Sequence, residues 1–149
     1  MTSELPAGLD VDFELTRFIR RVRARSLRTL GEIHPKLDYG MFTFLLSICD
    51  SPEGIRGSEL AEELGVHKST ASRAIASMER IGLITRVPDP DDGRAQLLLA
   101  LPETQAKVAE YRRKSHERLV TLIDDWTPEE VEVFARSLTR LNDRAERDF

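Results

Sequence analysis

The chain is short of the features on which most chemistries depend. It has one cysteine, one tryptophan and only 6% aromatic residues in 149. The lone Cys49 cannot close an internal disulfide, which agrees with a reducing compartment, and its place late in an apolar helix favours a core thiol. His34, His67 and His116 show none of the close spacings of a zinc site. There is no Gly-rich phosphate loop and no nucleophile elbow, and the carboxylates are scattered over helical faces without a pair. The sequence therefore predicts no enzyme, no metal and no cofactor. No apolar run approaches the roughly 20 residues that span a bilayer. Met1 to Leu9, with Glu4, Pro6 and Gly8, is too polar for a secretory leader, so the expectation is a cytoplasmic protein without a membrane segment. Repeats and low-complexity stretches are missing too. So is a positive balance: the net charge is −4, with 40% hydrophobic and 32% charged residues. Such a composition fits one soluble domain and by itself argues mildly against a nucleic-acid partner.

What is present is one strongly patterned stretch, Gly57 to Arg94. Between Val66 and Gly82 a helical step of about 100° per residue puts Ala71, Ile75, Met78 and Gly82 in one narrow stripe, with Ala74 beside it. The opposite stripe collects Ser69, Arg73, Ala76, Ser77 and Arg80, where a solvated helix would carry paired Glu and Lys. Small donors let a helix lie close to another surface, and arginine offers forked donors to phosphate or to a guanine edge. The spacing predicts a helix that enters a groove. Ser58 to Leu64 reads as a shorter helix with Leu60, Ala61 and Leu64 on one side, and Gly65 supplies the positive φ that ends it. Short helix, turn, longer polar-faced helix is the helix-turn-helix order. Leu83 to Val87 and Ala95 to Leu99 are strand-like runs, and the turn formers from Pro88 to Arg94 between them make an exposed tip: a wing.

From Leu60 to Leu101 the chain resembles the winged helix-turn-helix of the MarR family of bacterial transcriptional regulators. The resemblance rests on Ser69-Thr70-Ala71-Ser72-Arg73, on Met78-Glu79-Arg80-Ile81-Gly82-Leu83-Ile84, and above all on the wing Asp89-Pro90-Asp91-Asp92-Gly93-Arg94. Family members often follow the wing with a Leu-Thr-x-x-Gly helix start; here Leu101-Pro102-Glu103-Thr104 stands there, and proline at the first helical position serves the same purpose. The fold expected is mainly α with a small β-wing, a single MarR-like domain over residues 1–149. Its DNA-binding part spans about 37–101, and helices at about 10–34 and 102–149 are for dimerisation. The partner implied is double-stranded DNA, read at a pseudo-palindromic operator by a homodimer acting as a repressor.

The flanking helices follow from periodicity. Asp10 to Leu30 repeats Phe13, Leu15, Phe18, Ile19, Val22, Ser26 and Leu30, with Arg17, Arg20, Arg21, Arg23, Arg25 and Arg28 on its other face. A basic amphipathic helix can suit a membrane surface, but a solvated helix is the favoured reading. Gly31 to Pro35 breaks it, and Lys36 to Cys49, apolar nearly all round, is expected to be the buried centre. Ile55-Arg56 reads as a minimal strand joining the wing sheet. Pro102 to Asp125 is a long helix with Val108, Tyr111, Ser115, Leu119, Leu122 and Ile123 on one side. Thr127 and Glu130 form a capping box, with Pro128 at the first position of a last helix that carries Val131, Phe134, Leu138 and Leu141. The long amphipathic helices bracket a domain that already has its own core, so their apolar stripes need another surface, most simply a second copy.

Ser69, Thr70, Ser72 and Arg73 are the expected contacts in the duplex, with Arg73 reading a base; His67 and Lys68, near the positive end of the helix, suit phosphate. Ser77, Arg80 and Arg86 complete the face. Arg94 resembles the family arginine that reaches the minor groove, with Asp92 orienting the loop. Residues 55–101 hold Arg56, Lys68, Arg73, Arg80, Arg86 and Arg94 against seven Asp and Glu. The prediction is thus a positive face on an acidic protein. A small-molecule effector, aromatic or other, is implied by the family, in a cleft lined by Phe18, His34, Tyr39, Met41, Phe44, Tyr111 and His116. Two other readings stand beside this one. A winged helix that binds protein would show an apolar outer face and a dispensable wing arginine. A metal-responsive regulator would use His34 and His116, for which hydrogen-bonded structural histidines are the default.

Overall fold

A computed structural model describes residues 10–148. Met1 to Leu9, on which the expectation about a leader rests, lies outside the described residues. The chain divides into two compact units, one up to Ala109 and one from Glu110.

In the first unit, helix α1 (Val11–Thr29) starts where the Asp10 carboxylate accepts the Phe13 N–H at 2.8 Å, and it runs into a short 3-10 turn, Leu30–Glu32. Helix α2 spans Tyr39–Cys49 and not Lys36–Cys49 as its apolar content suggests. The reason lies at its cap: Asp38 is extended and takes the Met41 N–H at 2.8 Å, while the Lys36 N–H is spent on His34 Nδ1 at 3.1 Å. Its Phe42, Phe44, Leu45 and Ile48 are buried, so α2 is the centre of the core as its composition predicts. Strand β1 (Ile55–Arg56) leads directly into α3 (Gly57–Glu63), followed by α4 (Lys68–Arg80), β2 (Ile84–Pro88) and β3 (Gln96–Ala100). The sheet is antiparallel in the order β1-β3-β2, with Ile55 opposite Leu98 and Ile84 opposite Ala100. Leu60 and Met78 are fully buried where α3 packs on α4.

Both helix ends of the motif close in the same way. The Val66 N–H returns to Ala61 O at 2.9 Å and the Gly65 N–H to Glu62 O at 3.1 Å, with Gly65 at φ 61°. At the end of α4 the Leu83 N–H returns to Met78 O at 2.9 Å and the Gly82 N–H to Glu79 O at 3.1 Å. This pattern needs a left-handed residue after the helix. Gly82 fills that role at φ 75° and is exposed, so it ends the helix where the periodicity placed it on the inward stripe. Because the Leu83 N–H is consumed in the cap, β2 begins one residue later than expected, and β3 does so because the Ala95 N–H is held in the wing turn by Asp92 O. Gly54 is constrained more tightly still: at φ 92°, a Cβ built on it would lie 2.8 Å from Leu97 Cβ, against the β1–β3 pairing.

Helix α5 (Pro102–Leu122) begins at the proline and carries the chain into the second unit. Helix α6 (Pro128–Asp148) opens on the expected capping box, with the Glu130 N–H on Thr127 Oγ1 at 3.2 Å and the Thr127 N–H on Glu130 Oε2 at 2.8 Å. The Trp126 and Phe134 rings meet edge to face at 5.3 Å. Of the periodic stripes, Phe13, Phe18 and Ile19 on α1 and Phe134, Leu138 and Leu141 on α6 are exposed, and Val131, which opens the α6 stripe, is half-buried. Of the α1 stripe, only Ser26 and the following Leu30 are buried. Among the described residues no helix is long and apolar enough to cross a membrane.

Candidate nucleic-acid interface

Helix α4 turns Ala71, Ile75 and Met78 inward and leaves the opposite side open. Ser69, Thr70, Ser72, Arg73, Ala76 and Arg80 are exposed and Ser77 is half-buried, so hydroxyls and guanidiniums share one face. At its N-terminus His67 is extended, its carbonyl takes the Thr70 and Ala71 N–H groups, and its side chain makes no capping bond. The N-terminal end therefore keeps its positive dipole beside the exposed Lys68 and His67, an arrangement suited to an anion.

The wing is a hairpin with an ordered tip. The Asp89 N–H donates to Ala95 O at 3.0 Å and the Ala95 N–H to Asp92 O at 2.8 Å. Asp92 Oδ1 accepts the Arg94 N–H at 3.1 Å, so Asp92 shapes the backbone that presents Arg94. The Arg94 side chain is exposed.

The cations of residues 55–101 divide into two kinds, a distinction that charge counting cannot make. Lys68, Arg73, Arg80 and Arg94 have no ion pair among the described residues, and all four are exposed. Arg73 is braced along its own helix, its Nε on Ser69 O at 3.3 Å. Arg56 and Arg86 are instead each tied to a carboxylate. Arg86 Nε on β2 donates to Glu79 Oε2 on α4 at 3.0 Å, so this arginine, expected in the duplex-facing set, is engaged in a tether between helix and wing. Arg56 Nε donates to Asp89 Oδ2 at 2.7 Å. Sequence reasoning assigned no role to Arg56, Glu79 or Asp89 individually. The signal available was the Asp at the base of the wing, whose short acceptor side chain before a proline suits a turn.

Asp89 is buried, and the Asp91 N–H and then the Arg56 guanidinium hold its carboxyl below the usual carboxylate range. A carboxyl with a lowered value in the folded chain adds stability that is fully present above the ordinary value, about pH 4, and is lost as pH falls through the lowered one. Asp89→Asn should therefore flatten the fall in melting temperature between about pH 5 and about pH 2 relative to the wild type. Scanning calorimetry across that range checks it, and parallel curves for the two proteins would count against the carboxylate.

The residues expected to line an effector cleft lie in different surroundings. Phe44 is buried in the core, Met41, His34 and Tyr39 are half-buried, and Phe18 is exposed. Tyr39 carries the Arg23 guanidinium over its ring at 5.2 Å, and His34 Nδ1 is occupied by the Lys36 N–H. Tyr111, half-buried, and His116, exposed, belong to the second unit. An apolar recess in that unit is lined by Trp126, Glu129, Glu130, Val133, Phe134 and Ser137, none of them in the expected set. Cys49 is half-buried at the end of α2. Among the described residues no group of three His, Cys, Asp or Glu side chains could hold a metal ion.

Fold and face together define a winged helix-turn-helix protein. Residues 43–95 match the model of the MarR family. The chain is 32% identical over 144 residues to the HTH-type transcriptional regulator YxaD of Bacillus subtilis (strain 168), covering 95% of this chain and 96% of that one. The crystal structure of MarR superposes with a TM-score of 0.72 at 27% identity, over 93% of this chain and 99% of that one. FabT of Streptococcus pneumoniae, solved in complex with DNA, superposes with a TM-score of 0.81 at 22% identity, over 92% and 96%. The chain belongs to the MarR family, and it is a transcriptional regulator with the winged-helix fold of that family.

Proposed function

We propose that the protein is a homodimeric, sequence-specific DNA-binding repressor that places α4 in the major groove and the wing arginine in the minor groove of a pseudo-palindromic operator. The observation that carries this reading is that, among the described residues, Lys68, Arg73 and Arg80 of α4 and Arg94 of the wing make no ion pair, in a chain whose net charge is −4. Cations left without carboxylates, next to small hydroxyls and a helix N-terminus, suit phosphates and base edges. The DNA complex of FabT, a protein of the same fold, is in keeping with it. A dimer is supported by the exposed apolar residues at helical spacing on α1 and α6. Twofold symmetry would set the two α4 helices about 34 Å apart, one turn of duplex. Release by a small-molecule effector completes the proposal, supported by the family relationship.

The test is an anisotropy titration on duplex from the upstream region of the protein's own gene, against scrambled duplex, at two salt concentrations. With four cations per protomer that make no ion pair among the described residues, and two protomers in the proposed dimer, affinity should fall by about three to five orders of magnitude between about 50 and about 200 mM salt, because each cation that neutralises a phosphate releases counterions. Binding that ignores salt and sequence would favour a protein-interaction role for the wing.

A further inference from the structure

We infer that the Arg56–Asp89 pair is a strut that fixes the wing to the helix-turn-helix, and that Arg56 is a positioning residue acting on DNA only through Arg94. This rests on the reading of Arg94 as a groove contact.

The need for a strut is set by where the backbone ladder stops. Strand β1 is two residues long, and its Arg56 pairs opposite Leu97 of β3. Outward from Leu97, the hairpin continues through Pro88 opposite Gln96 to Asp89 with no third strand beside it. A two-stranded ribbon without support twists and bends readily. At this point the Arg56 side chain takes over from its backbone. Its Nε and a terminal nitrogen converge on Asp89 Oδ2 at 2.7 and 2.5 Å.

Both ends of the strut are anchored. Arg56 pairs in β1, caps α3 with an extended backbone, and donates its N–H to Glu59 Oε2 at 3.0 Å. Its guanidinium is therefore an extension of the helix that packs on α4. Asp89 closes the hairpin through its N–H on Ala95 O, and its other oxygen, Oδ1, takes the Asp91 N–H at 2.9 Å. From there Asp92 holds both the Ala95 and the Arg94 N–H groups. The hydrogen bonds thus run from the base of α3 to the residue that carries the wing cation. Burial adds to the effect: the Asp89 side chain is 5% exposed and that of Arg56 35%. A buried carboxylate losing its partner is costly, so the wing is held where the two meet.

The experiment is a double-mutant cycle of Arg56→Gln and Arg94→Ala in the full-length protein, on a duplex selected by the wild type from a random-sequence library. Arg56→Gln should weaken binding about tenfold in the wild-type background and less than about twofold when Arg94 is already alanine. Hydroxyl-radical protection of the minor groove should disappear with Arg56→Gln, while protection of guanine N7 in the major groove by α4 persists. Equal weakening in both backgrounds would overturn the strut, since Arg56 would then act independently of the wing. Unchanged binding by Arg56→Gln, with Arg94→Ala weakened, would also overturn it and leave the groove contact standing. An Arg94→Ala protein that binds as well as the wild type would remove the groove contact itself. Should Arg56→Gln fail to fold, Asp89→Asn, which keeps an acceptor for Asp91, goes through the same cycle under the same criteria.

Discussion

Arg94→Ala should lower affinity for the operator about 100-fold. An arginine contact in a groove is worth about 1–3 kcal/mol, and the proposed dimer would present the residue twice, so two decrements of about 1.4 kcal/mol each multiply to that factor. The side chain is exposed at the tip of an ordered hairpin and has no ion pair among the described residues, so its removal leaves no buried group unsatisfied. The melting temperature and the dimer should both be unchanged. The dependence of affinity on salt should also become shallower, by about one unit of slope for each phosphate that the variant no longer neutralises. Titration of wild type and variant at matched salt measures both quantities, and equal affinities at moderate salt would end the assignment of the wing.

Leu138→Glu combined with Leu141→Glu should produce a folded monomer that no longer holds the operator. Both residues lie on the apolar stripe of α6 and are 38% and 52% exposed in the single chain. Carboxylates there are solvated in the monomer, so helix content and the first unit should survive. In the proposed dimer they would be driven into an apolar contact, at a cost of several kcal/mol for each charge buried without a partner. Losing the second reading head removes the gain from tethering two sites, a factor of about 100 or more in affinity. Sedimentation velocity and titration on the same samples decide the matter. A dimer that persists would move the interface away from α6.

Much of the architecture was legible because it is local. Apolar patterning located α1 to α6, and the capping box of Thr127 with Glu130 fixed the start of α6. Turn chemistry found the wing. The errors were local competitions as well. Apolar composition extended α2 to Lys36, where the Asp38 cap wins, and a helical wheel kept Gly82 inside α4, where the need for a left-handed residue wins. The exposed face of α4 was legible for the same reason as its core face, since one period fixes both.

The sequence by itself determined the helices, the wing, and which side of α4 is polar, because each depends on residues a few positions apart. Only the tertiary structure decided which arginines are available. Arg56 and Asp89 stand 33 positions apart and meet because β1 pairs with β3, and Arg86 meets Glu79 because the chain reverses at Gly82. Six cations of similar appearance in the sequence thereby separate into two that pair with carboxylates and four that make no ion pair among the described residues. The burial of α2 and the exposed stripes of α1 and α6, by contrast, were already written in composition and periodicity. The physical reason is that charge pairing depends on what lies within a few ångströms, and strand register brings together residues that spacing along the chain leaves unrelated.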